Sequence, residues 1–442
     1  MKPILFLLAI SFCHQILADE TLTPTGAIWS GNANNTIPAW KKERNLEQYY
    51  EKLSKTVTQE RPRYIITAKN FHSYQPLLSK GQIALFQNYP DTFNMPVYQT
   101  HRSAHVPEWF AEATQKNAGS NELNALGELL TPNTGIPFPI PKTAEEIIWN
   151  SYLAWRGISA QFKAAETVVN EKGNYSLIEN SVLAYLPYAD PDFDPSSPVW
   201  IYTYYLSKIT APPRLSGGAL LIYQSGLPLT RPRQSWLYVA SQRRSRRAPD
   251  VGYDTPLPTS KGIRVVDEIN IFNGALDRYN WEIIGKKEML IPYNNAVLKE
   301  YIQDSRIARL LTPLHTNPDL NRYERHRVWV IRATLKSNMR HIYAQRILYV
   351  DEDSWSIIMA DMYNANHQLE RFSIHYPWFS KQLPGFFFGL VSYFDIENKR
   401  YFIQAIKSNG IYFSDKAPDK NLFLPKSLKK FATTDKDAVF LQ

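Results

Sequence analysis

Residues 325 to 363 read RHRVWVIRATLKSNMRHIYAQRILYVDEDSWSIIMADMY, and this stretch decides the fold class. It holds three runs rich in Val, Ile, Tyr and Trp, at Arg325–Leu335, His341–Val350 and Ser354–Tyr363, of the kind that suits a half-buried pleated surface. Between the last two, the turn Asp351-Glu352-Asp353 is too short for a crossover helix, so those strands must pair antiparallel. The same texture runs outward in both directions. Upstream, strands are expected at Gln161–Val169, Tyr175–Tyr185, Val199–Ile209, Ala219–Tyr223, Gln234–Ala240, Gly262–Phe272 and Trp281–Leu290. Downstream they are expected at Gln368–His375, Phe386–Asp395 and Arg400–Ile406. Short turns such as Asn364-Ala365-Asn366 join them. The fold class is therefore mainly β (α+β), a large curved antiparallel sheet whose apolar face needs a cover.

Residues 19–142 supply that cover in this reading. Leu46, Tyr49, Tyr50 and Leu53 make one helical stripe, and Ala68 to Tyr89 reads as a helix or helix pair broken near Gly81. Pro107 suits the first turn of a helix carrying Trp109, Phe110 and Ala113. The prolines at 132, 137, 139 and 141 mark an extended connector, read as the junction to the remainder, 143–442. That part opens with a capping box at Thr143 and Glu146, then Ile148, Tyr152 and Trp155 before Gly157. Residues 1–18 form a separate leader: Lys2, an apolar run from Ile4 to Phe12 and the small residue Ala18 have the plan of a signal peptide, so cleavage is expected before Asp19. Cys13, the one cysteine, leaves with it. A mature chain without thiols excludes thiolate chemistry and points to a bacterial envelope compartment, the periplasm.

The composition narrows function further. Among 442 residues there are 21 Phe, 27 Tyr and 11 Trp, a load that suits strands, ligand cavities and wet apolar boundaries. The net charge of +9 is concentrated at Arg231, Arg233, Arg243, Arg244, Arg246 and Arg247, and again in the tail at Lys416, Lys420, Lys426, Lys429, Lys430 and Lys436. Export argues against nucleic acid as the partner of these clusters. They are read as solvated turns or as contacts for anionic headgroups. The mature chain lacks a nucleophile elbow, a P-loop, a dinucleotide fingerprint and a zincin motif. His101 and His105 have a spacing that would suit a metal on a helix, but the flanking prolines favour extended chain, so no metal or cofactor is expected. Asp351/Asp353 and Asp267/Glu268 are the closest acid pairs, read as a hairpin turn and a strand edge. Glycoside hydrolysis would need two acids facing across a substrate, which spacing along a chain does not provide.

Six segments carry a family likeness: GNANNTIPAW (31–40), MPVYQTHRSA (95–104), GIPFPIP (135–141), RPRQSWLYVASQRRSRRAP (231–249), FNGALDRYNWEIIGKKEMLIPYNN (272–295) and residues 322–355 around the opening stretch. Together they resemble a proteobacterial domain-of-unknown-function family, number 1329, over nearly the whole mature chain. That family is distantly similar to the lipoprotein carriers LolA and LolB. The resemblance implies an incomplete barrel with helices over its apolar concave side, and no enzyme activity. It implies a periplasmic carrier of a lipid or other hydrophobic molecule, with delivery to or from the outer membrane. On that reading the cavity is lined from Trp236, Tyr238, Trp281, Trp329, Ile331, Tyr349 and Trp355, the alternative for each being plain core packing. Arg243, Arg244, Arg246 and Arg247 would meet the membrane. The rival readings are an accessory subunit that docks on an inner-membrane permease or outer-membrane protein, and a periplasmic hydrolase.

Overall fold

The computed structural model describes residues 22–130, 132–194, 200–302, 306–380, 385–406 and 412–435. The expected leader, its cut before Asp19, Cys13 and Lys436 lie outside these residues. Sixteen strands among the described residues belong to one sheet. In chain order they are β1 (Tyr64–Thr67), β2 (Asn94–Val97), β3 (Ser159–Val169), β4 (Ile178–Tyr185), β5 (Ile201–Ala211), β6 (Ala219–Ser225), β7 (Gln234–Val239) and β8 (Arg244–Arg247). Then follow β9 (Tyr279–Pro292), β10 (Tyr323–Leu335), β11 (Gln345–Asp351), β12 (Ile357–Tyr363), β13 (Leu369–Ser380), β14 (Gly385–Asp395), β15 (Arg400–Ile406) and β16 (Tyr412–Ser414).

The main ladder runs β9 through β15 in chain order and continues β3 through β8, every pair antiparallel. β16 adds to β3, and the β1–β2 hairpin attaches at β10 through a parallel bridge from Tyr323 to Val97. No ladder joins β8 to β9 among the described residues, so the sheet stays open. This is the meander that short turns demand, with the β15-to-β3 pairing closing the long loop in sequence.

Three layers cover the sheet, and the helices that precede β3 are α1 (Leu46–Gln59), α2 (Lys80–Asn88), α3 (Glu108–Lys116) and α4 (Ala144–Tyr152). On one side of β9–β15, helix α2 (Lys80–Asn88) buries Leu85 and Phe86 against Met289, Val330, Met359, Phe372 and Ile374. Its first turn sits on a buried carboxylate: the Lys80 and Gly81 amides donate to Asp361 at 3.1 and 2.9 Å, and the Tyr349 hydroxyl donates at 2.8 Å. The helix pair expected over Ala68–Tyr89 is present as a 3-10 helix, Phe71–Leu77, followed by α2, with the break at Leu78-Ser79 and not at Gly81 itself. Gly81 lies inside α2, where a Cβ would meet the Phe372 ring at 2.0 Å, so glycine here allows a close approach. On the other side, Ile331, Leu348, Val350, Met362, Tyr393 and Phe402 pack with Phe110, Phe272 and the α4 helix Ala144–Tyr152. Ile136 and Phe138 of the proline-rich connector are buried in this same core.

The third layer is the C-terminal segment. Phe423, Leu428 and Phe431 cover the face of β4–β7 that carries Tyr185, Leu206, Leu221 and Tyr238. Lys208 Nζ donates to the carbonyls of Phe431 at 3.1 Å and Thr434 at 2.6 Å, which fastens the helix Leu428–Thr433 in place. One expected strand is absent: Gly262–Phe272 forms turns and a short 3-10 helix, Val266–Glu268. Asn270 and Ile271 have φ of 57° and 74°, two consecutive left-handed residues that interrupt the extended alternation of a strand. Asp267 and Glu268 are accordingly buried in this turn region and not at a strand edge. Asp267 binds Arg346 at 2.8 Å and His341 at 3.2 Å.

Candidate functional site

Strand register defines a second face of β3–β8, turned away from the C-terminal segment, on which several apolar side chains stay half-exposed. Phe162 lies opposite Val182, Val182 opposite Ser207, Ser207 opposite Leu220, Leu220 opposite Leu237, and Leu237 opposite Arg246. Directly opposed residues share a face, so these six make one row across β3–β8. A parallel row holds Ala160, Ala184, Tyr205, Ile222 and Ser235. The face turned the other way carries Leu183, Leu206, Leu221 and Trp236, which the C-terminal segment and its neighbours cover. Phe162, Leu220, Ile222, Leu237 and Val239 are half-exposed, and none packs into a hydrophobic core among the described residues.

This surface has polar groups at both ends. At the β8 end, Arg246 and Arg244 oppose Leu237 and Val239 and are exposed. Arg247 opposes Trp236 on the covered side, and Arg243 forms the turn with φ of 50°. The helix Leu428–Thr433 touches β6, β7 and β8, which brings exposed Lys426, Lys429 and Lys430 beside the arginine strand. The two basic clusters of the sequence thus belong to one end of the molecule. At the β3 end lies Arg264, whose guanidinium carbon is 4.9 Å from the Phe402 ring centre and 5.6 Å from that of Tyr393. It donates to Gln404 Oε1. Burial pushes the Tyr205 phenol up to about 12, and Glu166 adds to the rise, while Ser207 and the Arg264 charge oppose it.

The seven residues expected to line a cavity are divided among separate places. Trp236 and Tyr238 lie on the covered face, with the Trp236 ring 4.7 Å from Tyr223. Tyr349 sits on the α2 side with its hydroxyl on Asp361. Trp281 packs 5.3 Å from Phe272 and donates to the Leu276 carbonyl at 2.9 Å. Trp329 stacks on Trp355 at 6.5 Å, Lys286 Nζ lies 4.4 Å over Trp329, and Ile331 is fully buried nearby in the same core. Tyrosine and tryptophan content drew attention to these positions, whereas the uncovered row is made of Phe162, Leu220, Ile222 and Leu237. The alternation in Ala219–Tyr223 and Gln234–Ala240 was the available signal, but which side would be covered depends on a segment two hundred residues away.

A second concentration of chemistry is ionic. Arg102 pairs with Asp353 through two bonds, 2.6 and 3.0 Å, and donates to the Ile28 carbonyl at 2.8 Å. Glu324 takes Arg322 Nε at 2.6 Å and His326 Nε2 at 3.2 Å. His326 Nδ1 stands 3.8 Å from Asp353 and 4.0 Å from Asp351. Burial opposes a charged His326, yet its contacts with Asp353 and Glu324 prevail and raise its pKa to about 9. His326, Asp351 and Asp353 are ligand types for a cation and their donor atoms lie within 4.8 Å of one another. Arg102 already neutralises Asp353, however, and a protonated His326 answers the remaining acid charge. The cluster acts as a clamp that ties the segment around Ile28 to β10 and β11. His101 and His105 turn to different neighbours: His101 Nε2 meets Glu60 at 2.7 Å, and buried His105 lies 5.0 Å from the Tyr49 ring.

Comparison with known proteins agrees with the likeness read from the sequence. Residues 65–429 match the family model described as a protein of unknown function, DUF1329. The chain is 37% identical over 417 residues to the uncharacterised protein PA3922 of Pseudomonas aeruginosa, covering 91% of each. Among solved structures it is similar to a DUF1329 family protein from Desulfovibrio piger, with TM-score 0.41, 12% identity and coverage of 62% of this chain and 92% of that one. A putative outer membrane lipoprotein-sorting protein domain from Vibrio parahaemolyticus gives TM-score 0.41, 10% identity and coverage of 61% and 91%. A LolA superfamily protein from Nitrosomonas europaea gives TM-score 0.37, 13% identity and coverage of 64% and 98%. With the family model matched over most of its length and a full-length relative above a third identical, the chain belongs to the DUF1329 family.

Proposed function

We propose that this protein is a periplasmic carrier that holds a lipid or other hydrophobic molecule on the uncovered face of β3–β8. The observation that supports the reading is the set Phe162, Leu220, Ile222 and Leu237, half-exposed apolar side chains of one face that join no hydrophobic core among the described residues. Withdrawing acyl chain from water is worth ~0.8 kcal/mol per methylene, so a tail lying across several strands is held by several kcal/mol after ordering losses. Arg244 and Arg246 at the rim of this face, with Arg243, Arg247 and the nearby lysines, suit transient contact with an anionic membrane surface. No covalent step belongs to this reading, so the protein acts by binding and release and not as an enzyme.

The test is native mass spectrometry of the protein purified from its own envelope fraction, with Leu220→Asp and Leu237→Asp as controls. A co-purifying hydrophobic molecule present in the native chain and missing from folded variants is the expected result. Native protein that carries nothing and takes up no alkyl probe would refute the carrier reading. The exposed outer edge of β8 favours one alternative, an accessory subunit that docks there on a permease or outer-membrane protein through strand addition.

A further inference from the structure

We infer that the molecule carried on this face is an amphiphile with an anionic head, a carboxylate or a phosphate, and that Arg264 receives the head. This rests on the carrier reading. The other buried arginines of the fold have carboxylate partners: Arg102 has Asp353, Arg322 has Glu324, and Arg346 has Asp267. Arg264 is only 7% exposed, yet among the described residues no carboxylate lies within 4.0 Å of it. Its company is an amide oxygen and the rings of Phe402 and Tyr393, with the Tyr393 hydroxyl in reach, and its Nε has no acceptor. A guanidinium withdrawn from water without a counter-charge is costly, and an arriving anion removes that cost.

Position supports the same assignment. Phe402, beneath Arg264, lies opposite Val168 of β3, and Val168 alternates onto the same side as Phe162. Arg264 therefore stands at the β15 end of the apolar rows. The loop that carries it is fixed, because Ser260 Oγ accepts from the Arg264 amide at 3.1 Å and Leu257 N donates to the Arg264 carbonyl at 2.9 Å. From β3 to β7 the strip spans about 19 Å at the usual strand spacing, room for a long alkyl tail lying across the strands. Glu166, on the same side of β3, does not come within 4.0 Å of Arg264 and would repel a head that strayed toward it.

The experiment compares four probes on the delipidated mature chain by calorimetry: palmitate, methyl palmitate, hexadecyl phosphate and inorganic phosphate. Palmitate and hexadecyl phosphate are expected to bind about tenfold or more tighter than the ester, the factor one charge-assisted contact is worth. Arg264→Gln should abolish that preference, and Arg264→Lys should restore part of it. Equal affinities for acid and ester in the native chain would overturn the role of Arg264 while leaving the carrier reading intact. Inorganic phosphate binding as tightly as hexadecyl phosphate would overturn the amphiphile. If no alkyl probe binds, the carrier reading falls and this inference with it. Should Arg264→Gln fail to fold, the native acid-to-ester ratio and the Lys variant decide.

Discussion

Replacing Arg102 with Met should detach the N-terminal segment from the sheet. The side chains of Arg102 and Asp353 are each 2% exposed, and Arg102 also holds the Ile28 and Trp29 carbonyls. Methionine preserves much of the volume but leaves Asp353 and Glu352 with less positive charge. Removing one partner from a buried ion pair costs ~3–5 kcal/mol, because the charge left behind has lost both water and its counter-ion. With an unfolding entropy of roughly 2.1 cal/mol/K per residue, a chain of this size loses about 3–6 °C in Tm. Scanning calorimetry of the protein measures the shift, and limited proteolysis should show new cleavage around residues 28–40. The double variant Arg102→Met with Asp353→Asn should recover more than half of the loss, since it leaves no orphaned carboxylate at that point. A fall below about 1 °C, or a double variant no better than the single one, would refute the clamp.

Two further predictions follow from the same geometry. The folded pKa of His326, about 9, stands above the ordinary value of ~6.5, so its contribution to stability is complete below pH ~6.5 and is lost as pH rises through 9. Urea unfolding across that window should show this decline, and His326→Gln should flatten it. Replacing Arg243, Arg244, Arg246 and Arg247 together with Gln should weaken binding to anionic vesicles at low salt with little change in Tm, because all four are exposed; unchanged vesicle binding would leave β8 as a plain solvated edge.

Much of the sheet was legible in the sequence because half-buried strands advertise themselves through alternation and β-branched content. Most expected strands are present with ends shifted by a few residues, and the capping box at Thr143 starts α4 as its chemistry requires. What local pattern could not show was the pairing of β15 with β3 or the identity of each cover. The short strands β1, β2, β8 and β16 escaped for a related reason. Arg244–Arg247 is entirely charged apart from Ser245, and only its partnership with β7 makes it a strand. The turn region around Glu268 misled in the opposite sense. Its apolar residues suggested a strand, but Glu268 turns back to accept the Val265 amide at 2.8 Å.

The division between the expected cavity residues and the uncovered row has a chemical logic. A buried indole gains from an acceptor for its N–H, and for four tryptophans that acceptor is a loop carbonyl, while Trp329 Nε1 has none. Trp149 donates to Gly127 at 2.8 Å, Trp200 to Leu129 at 3.3 Å, Trp281 to Leu276 at 2.9 Å and Trp355 to Thr25 at 2.8 Å. Each of these bonds fastens a segment without regular structure to the sheet or to α4, which is what a broad open sheet requires of long irregular covers. The aromatic excess is therefore mostly structural, and a ring committed to a loop carbonyl is poorly placed to yield to a ligand. Phe162, Leu220, Ile222 and Leu237 have no donor to satisfy and join no hydrophobic core among the described residues. A surface of that kind gains nothing from a polar partner, and a flexible methylene chain can be withdrawn from it without breaking a hydrogen bond. On the proposed carrier reading, release would have to overcome only the apolar contact and whatever charge holds the head, a balance that an anionic surface at the rim arginines would tip.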